Sequence, residues 1–109
     1  MNLDAALLSR FSANAEQAVA LLKAVANDSR LLVLCHLAVE GELSVGQLQE
    51  RVGLGQSALS QHLAKLRDES LVATRKEAQN VFYRVCDPKA ARLLNVLHEL
   101  FCPELGKGD

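Results

Sequence analysis

The run Gln56-Ser57-Ala58-Leu59-Ser60-Gln61-His62-Leu63-Ala64-Lys65-Leu66-Arg67 carries two kinds of residue at helical spacing. At about 100° per residue, Leu59, Leu63 and Leu66 share one face of a helix. Ser57, Ser60, Gln61 and Lys65 fall on the other. Hydroxyls and a carboxamide on a short helical face can hydrogen-bond base edges in a major groove, and an ammonium beside them can meet a phosphate. An ordinary solvated helix face has the same composition, so the row alone does not choose. His62 flanks the apolar side, where a packed, hydrogen-bonded imidazole is a commoner role than base reading.

Thiols are the second candidate chemistry. The three cysteines are Cys35, Cys86 and Cys102. An odd number does not make a secreted disulfide framework, and in a reducing compartment such thiols are free, metal-bound or reactive. Cys35 sits on the apolar side of an expected helix, where a cysteine is most often a small buried hydrophobe. Cys102 follows Phe101 and precedes Pro103, 67 positions later. Reactivity would need thiolate character and access. His36 adjoins Cys35, but neighbours in a helix diverge by about 100°, so the sequence places no cation beside the thiol.

The elements that must hold these groups fit one domain, residues 1–109. Half the residues are apolar and only 4% are aromatic, so the apolar content is leucine, valine and alanine, which suits helices. No run approaches the roughly 18 apolar residues of a membrane span, and residues 1–10 lack the basic and apolar regions of a signal peptide. A soluble, cytoplasmic protein with no membrane partner is expected. The net charge of −1 hides a split. Between Arg51 and Arg84, six basic residues face three acidic ones, so that segment is +3 and the remainder −4. Local charge governs the approach of a polyanion more than total charge does.

Leu3, Leu7, Leu8 and Phe11 predict a short first helix. Asn14 with Gln17 predicts the cap of a second, with Ala15, Ala18, Val19 and Leu22 on its face. The Asn27-Asp28-Ser29 cluster ends it, and a third helix carries Leu31, Leu34, Cys35 and Ala38 on one side. Ser44 and Gln47 read as a capping box for a fourth, with Val45, Leu48 and Val52 inward. Gly53 suits a left-handed position at its end. The fifth helix runs from about Gln56 to Glu69. Val72, Thr74, Val81, Phe82, Tyr83 and Val85 then give Leu71–Val85 strand character, with Glu77–Asn80 at a hairpin tip. Arg75 and Lys76 lie where this hairpin begins, in reach of phosphates or a minor groove, or as ordinary surface charges. Asp87 caps a last helix opened by Pro88 and ended by Pro103. Its face is Ala90, Leu93, Leu94, Leu97, Leu100 and Phe101. The expected fold is mainly α with a small β-hairpin wing: a winged helix-turn-helix. A chain this small cannot easily cover both terminal apolar faces, which predicts a homodimer.

The stretches Leu22–Leu31, Glu42–Leu48, Gln56–Arg67 and Leu71–Tyr83 resemble the ArsR/SmtB family of repressors over nearly the whole chain from Ala18 to Cys102. Gly55 departs from the family, whose members often carry a capping serine there, but glycine is an acceptable N-cap. The resemblance implies a homodimer through the first and last helices, bound to an inverted-repeat operator in double-stranded DNA and repressing transcription. It assigns Gln56, Ser57, Ser60, Gln61, His62 and Lys65, with Arg75 and Lys76 of the wing, to the DNA.

Two metal-site types known in that family look broken here. One uses thiolates in the stretch that reads Glu42-Leu43-Ser44-Val45-Gly46, where cysteine is absent and Ser44 is a poor soft-metal ligand. The other uses the last helix, where Asp87 and His98 remain but Lys89 stands where a histidine is needed. His98 alone reads as a surface or interface residue. Cys35 and Cys102, together with Arg75-Lys76-Glu77-Ala78-Gln79, are similar to the dithiol (BigR/SqrR/HlyU-like) subgroup. That likeness implies that oxidants or reactive sulfur species join the two sulfurs, directly or through extra sulfur, and lower DNA affinity. It implies no cofactor and no metal, and leaves Cys86 incidental. The alternative is a metal- or metalloid-sensing repressor using the cysteine thiolates. An enzyme is not expected, since there is no phosphate loop, nucleophile elbow or paired carboxylate.

Overall fold

The computed structural model describes residues 4–101. The first helix, α1, is Ala5–Val25, and it carries seven alanines with no glycine or proline. This corrects the expectation of two N-terminal helices. Asn14 lies exposed in mid-helix, and the alanine-rich sequence on both sides carries the helix through it. The cap is instead Asp4, whose carboxylate accepts from the Leu7 amide at 2.8 Å. Of α1 only Ala24 and Val25 are buried, while Leu7, Leu8, Phe11, Val19 and Leu22 stay exposed.

Asn27 stops α1 by capping α2, Asp28–Glu40, with its side-chain oxygen accepting from the Arg30 amide at 3.0 Å. After Gly41, at φ +90°, a two-residue strand β1, Leu43–Ser44, leads into α3, Val45–Val52. The expected capping box is present there. The Gln47 amide donates to Ser44 Oγ at 3.2 Å, and the Ser44 amide donates to Gln47 Oε1 at 2.9 Å. Gly53 closes α3 in the left-handed region at φ +70°, which costs glycine little. Helix α4, Gln56–Asp68, starts from Gly55 without a side-chain cap.

Strands β2, Val72–Glu77, and β3, Asn80–Val85, form the expected hairpin around Ala78 and Gln79. Ala78 takes φ +56°, a conformation that a two-residue hairpin turn demands and that glycine or asparagine adopts more cheaply. β1 adds to the far side, giving an antiparallel sheet of order β1-β3-β2. Helix α5, Pro88–Phe101, closes the described chain, with the Lys89 amide donating to Asp87 Oδ1 at 2.8 Å.

The core gathers Val33, Leu34 and Leu37 of α2, Leu48 of α3, Leu59, Leu63 and Leu66 of α4, and Ala90 and Leu94 of α5. α2 is the hub: it packs against α1, α3, α4, α5 and β3. No helix among the described residues is long and apolar enough to cross a membrane.

Candidate nucleic-acid interface and cysteine site

Helix α4 separates its faces as its leucine spacing predicts. Leu59, Leu63 and Leu66 are buried, while Gln56, Ser57, Ser60, Gln61 and Lys65 are exposed and His62 is half-buried. Buried leucines on three successive turns fix the helix against the core and leave the polar row outward. α3 and α4 are joined by the short Gly53-Leu54-Gly55 turn. Lys65 Nζ lies 3.4 Å from Glu69 Oε2, one turn along the same helix. An exposed pair of this kind is weak and salt-sensitive, so a phosphate can compete for the lysine.

The two wing cations differ. Lys76 is exposed and has no ion pair among the described residues. Arg75 is engaged on three sides. Its Nε donates to Glu42 Oε2 at 2.8 Å, its Nη1 donates to Glu77 Oε1 at 2.7 Å, and its guanidinium carbon lies 4.7 Å from the Phe82 ring centroid. The hydrogen bond from Arg75 holds the Glu42 carboxyl below its ordinary value, and Glu42 and then Glu77 raise Arg75 in turn. Glu42 did not stand out in the sequence, because a lone carboxylate before a two-residue strand carries no periodic signal.

A second ion-pair group links α2 to α3. Arg51 donates from Nε to Glu40 Oε2 at 2.9 Å and from Nη2 to Glu40 Oε1 at 2.7 Å. His36 Nδ1 stands 3.6 Å from Glu40 Oε2.

Cys35 is half-buried on α2 and packs against the core. Cys102 and Pro103, like Leu3, lie outside the described residues. Cys86 is exposed, with its Sγ 3.6 Å from the Ser70 carbonyl oxygen. His98 differs from the sequence reading. It is 8% exposed within a single chain, in a buried row with Ala90 and Leu94. The four-residue spacing of that row turns it toward the core and away from the surface. No group of three His, Cys, Asp or Glu side chains able to hold a metal ion comes together among the described residues.

Apolar side chains remain uncovered at the two ends of the chain. Phe11 is 61% and Phe101 75% exposed, and Leu100 is also exposed. A groove of about 400 Å³ runs along α1 beside the start of α5, lined by Phe11, Gln17, Leu21, Asp87 and Lys89.

A five-helix domain with a helix-turn-helix and a three-stranded wing is a winged-helix DNA-binding regulator. Residues 27–74 match the family described as "Bacterial regulatory protein, arsR family". The chain is 52% identical to the transcriptional activator HlyU of Vibrio cholerae, with 87% of each chain covered. The solved structure of reduced HlyU from Vibrio cholerae superposes with a TM-score of 0.81, covering 85% of this chain and 97% of that one. The transcriptional repressor BigR from Xylella fastidiosa gives 41% identity and a TM-score of 0.80, covering 86% and 95%. The AntR antimony-specific transcriptional repressor gives 34% identity and 0.79, covering 95% and 96%. This chain belongs to the ArsR family of bacterial regulatory proteins, whose relatives here are transcriptional regulators and not enzymes.

Proposed function

We propose that this protein is a homodimeric repressor that binds an inverted-repeat operator and releases it when Cys35 and Cys102 are joined by oxidation or by reactive sulfur. The observation that carries the reading is the position of Cys35. It lies on α2, which packs against the reading helix α4 on one side and against α5 on another. In the sequence, the four-residue spacing of Ala90, Leu94 and His98 next reaches Cys102. A direct disulfide requires α-carbons about 4.4–6.8 Å apart, and inserted sulfur relaxes that. A bridge ties the hub helix to the last helix, and a small tilt of α2 changes the spacing of two recognition helices. That spacing must match about 34–36 Å of duplex. One solved relative is reduced HlyU, which agrees with a regulator that has distinct redox forms.

Two routes close the bridge. Peroxide takes two electrons and two protons from the two thiols, leaving a disulfide and two waters. A low-molecular-weight persulfide transfers its outer sulfur to one cysteine, and the second thiol then displaces hydrosulfide to close the bridge. If both cysteines are persulfidated first, the same displacement leaves a trisulfide.

On the DNA, Gln56, Ser57, Ser60 and Gln61 read base edges, His62 flanks them, and Lys65 and Lys76 meet phosphates. The uncovered Phe11, Leu100 and Phe101 supply the dimer contact.

Mass spectrometry of protein treated with peroxide, and separately with an organic persulfide, should find one intramolecular bridge between Cys35 and Cys102. Cys35→Ser and Cys102→Ser should bind DNA when reduced and keep it under persulfide, while Cys86→Ser should respond as wild type. Release by Cys35→Ser would move the switch elsewhere. The second reading is metalloid sensing through the thiolates, favoured by the likeness to an antimony-specific repressor. Tight, stoichiometric binding of trivalent antimony or arsenic that displaces DNA would select it.

A further inference from the structure

Arg75 and Lys76 are sequence neighbours on one strand, so their side chains leave opposite faces of the wing. Arg75 pairs in register with Phe82 on β3, and Phe82 pairs in turn with Ser44 on β1. The Arg75 side chain therefore starts on β2, crosses the ring of the middle strand, and ends on the carboxylate of Glu42, the residue before β1. Ser44, two residues after Glu42, caps α3, the first helix of the reading unit. One side chain thus spans the whole sheet and joins the wing to the segment that begins the helix-turn-helix.

The electrostatics of this group are unlike those of a phosphate hand. One guanidinium meets two carboxylates, and Arg84 of β3 also acts on Glu42, so the four groups carry no net charge. A phosphate approaching Arg75 finds its charge already compensated and would have to replace two hydrogen bonds of 2.8 and 2.7 Å. The neighbouring Lys76, without an ion pair among the described residues, presents an uncompensated charge.

We propose that Glu42 and Arg75 are a positioning pair that sets the angle of the wing to the recognition helix, and that Arg75 makes no phosphate contact of its own. This rests on reading the wing as a DNA contact, with Lys76 as its phosphate-binding residue. Glu42→Gln gives the sharpest test, because it removes a negative charge from a DNA-binding protein. Simple electrostatics makes binding tighter, whereas loss of the clamp makes it weaker.

The experiment is an anisotropy titration at several salt concentrations, using a duplex selected by the wild-type protein from a random-sequence pool. Glu42→Gln and Arg75→Gln should each weaken binding on the order of threefold, the scale of an exposed pair, and the double variant should be no weaker than either single one. The salt slope should stay at the wild-type value in all three, and fall by about one per wing in Lys76→Ala. Unchanged melting curves show that the variants are folded. Binding by Glu42→Gln as tight as wild type, or a salt slope in Arg75→Gln reduced like that of Lys76→Ala, overturns the positioning role and leaves the wing reading intact. Unchanged affinity and slope in Lys76→Ala takes the wing off the DNA and removes the proposal with it.

Discussion

Glu40 at the end of α2 accepts from Nε and Nη2 of Arg51 on α3, at 2.9 and 2.7 Å, five residues after Cys35 in the chain. This pair is the polar joint between the hub helix and the helix-turn-helix. α2 and α3 pack on each other and share the apolar core, and apolar packing is not directional. A two-point ion pair adds direction to that contact.

The joint has a pH signature. The hydrogen bond from Arg51 holds the Glu40 carboxyl below its ordinary value of 4.5 in the folded chain. As pH falls, the unfolded chain takes up this proton first. The contribution of Glu40 to stability is therefore complete above about 4.5 and fades as pH drops through the lower folded-state value. Urea midpoints measured from neutral pH down past that point should fall more steeply for wild type than for Glu40→Gln. Parallel acid limbs would show that the pair contributes nothing.

Leu63 holds the recognition helix by its buried side. Its replacement by alanine should cost about 2–5 kcal/mol, because a buried leucine leaves a cavity that α2 and β2, packed against α4, close only in part. The check is the urea midpoint at constant slope with denaturant. A loss below about 1 kcal/mol would mean that the core repacks around α4.

Gln61 is exposed on α4 beside Ser57 and Ser60, so its truncation should leave stability unchanged. Discrimination between the selected duplex and one with a single changed base pair should fall by about 1–3 kcal/mol. Competition titrations with such duplexes measure this. Equal discrimination by wild type and Gln61→Ala would remove the glutamine from base reading.

Phe11 and Phe101 are 61% and 75% exposed, and the proposed homodimer would cover them. Sedimentation at micromolar concentration should find a dimer, and Phe11→Asp or Phe101→Asp should shift it toward monomer without lowering helix content. A wild-type monomer would remove the two-fold reading of the operator as well.

Much of this protein is determined by local pattern, and that part was readable along the chain. The leucines of α4 recur at the helical period, Ser44 and Gln47 are near enough to satisfy each other, and Gly53 occupies a conformation that other residues adopt at a cost. Each rests on interactions within about four residues, so sequence alone determines it. The single long α1 shows the limit of such reasoning. A possible cap at Asn14 is a local signal, but the alanines around it sustain the helix past it. The rest depends on pairs that are distant along the chain. Leu43 and Ser44 become a strand because β3 offers an open edge beside them, and two residues hold no period. Arg75 carries no sign of a partner in the sequence, and only the sheet brings Glu42, 33 positions earlier, to within 2.8 Å of its Nε. His98 is polar in sequence and buried in space because its four-residue spacing from Ala90 and Leu94 turns it to the core. Charge and side-chain type are properties of a residue, but which charge is neutralised and which is left for a partner is settled only when the chain closes on itself.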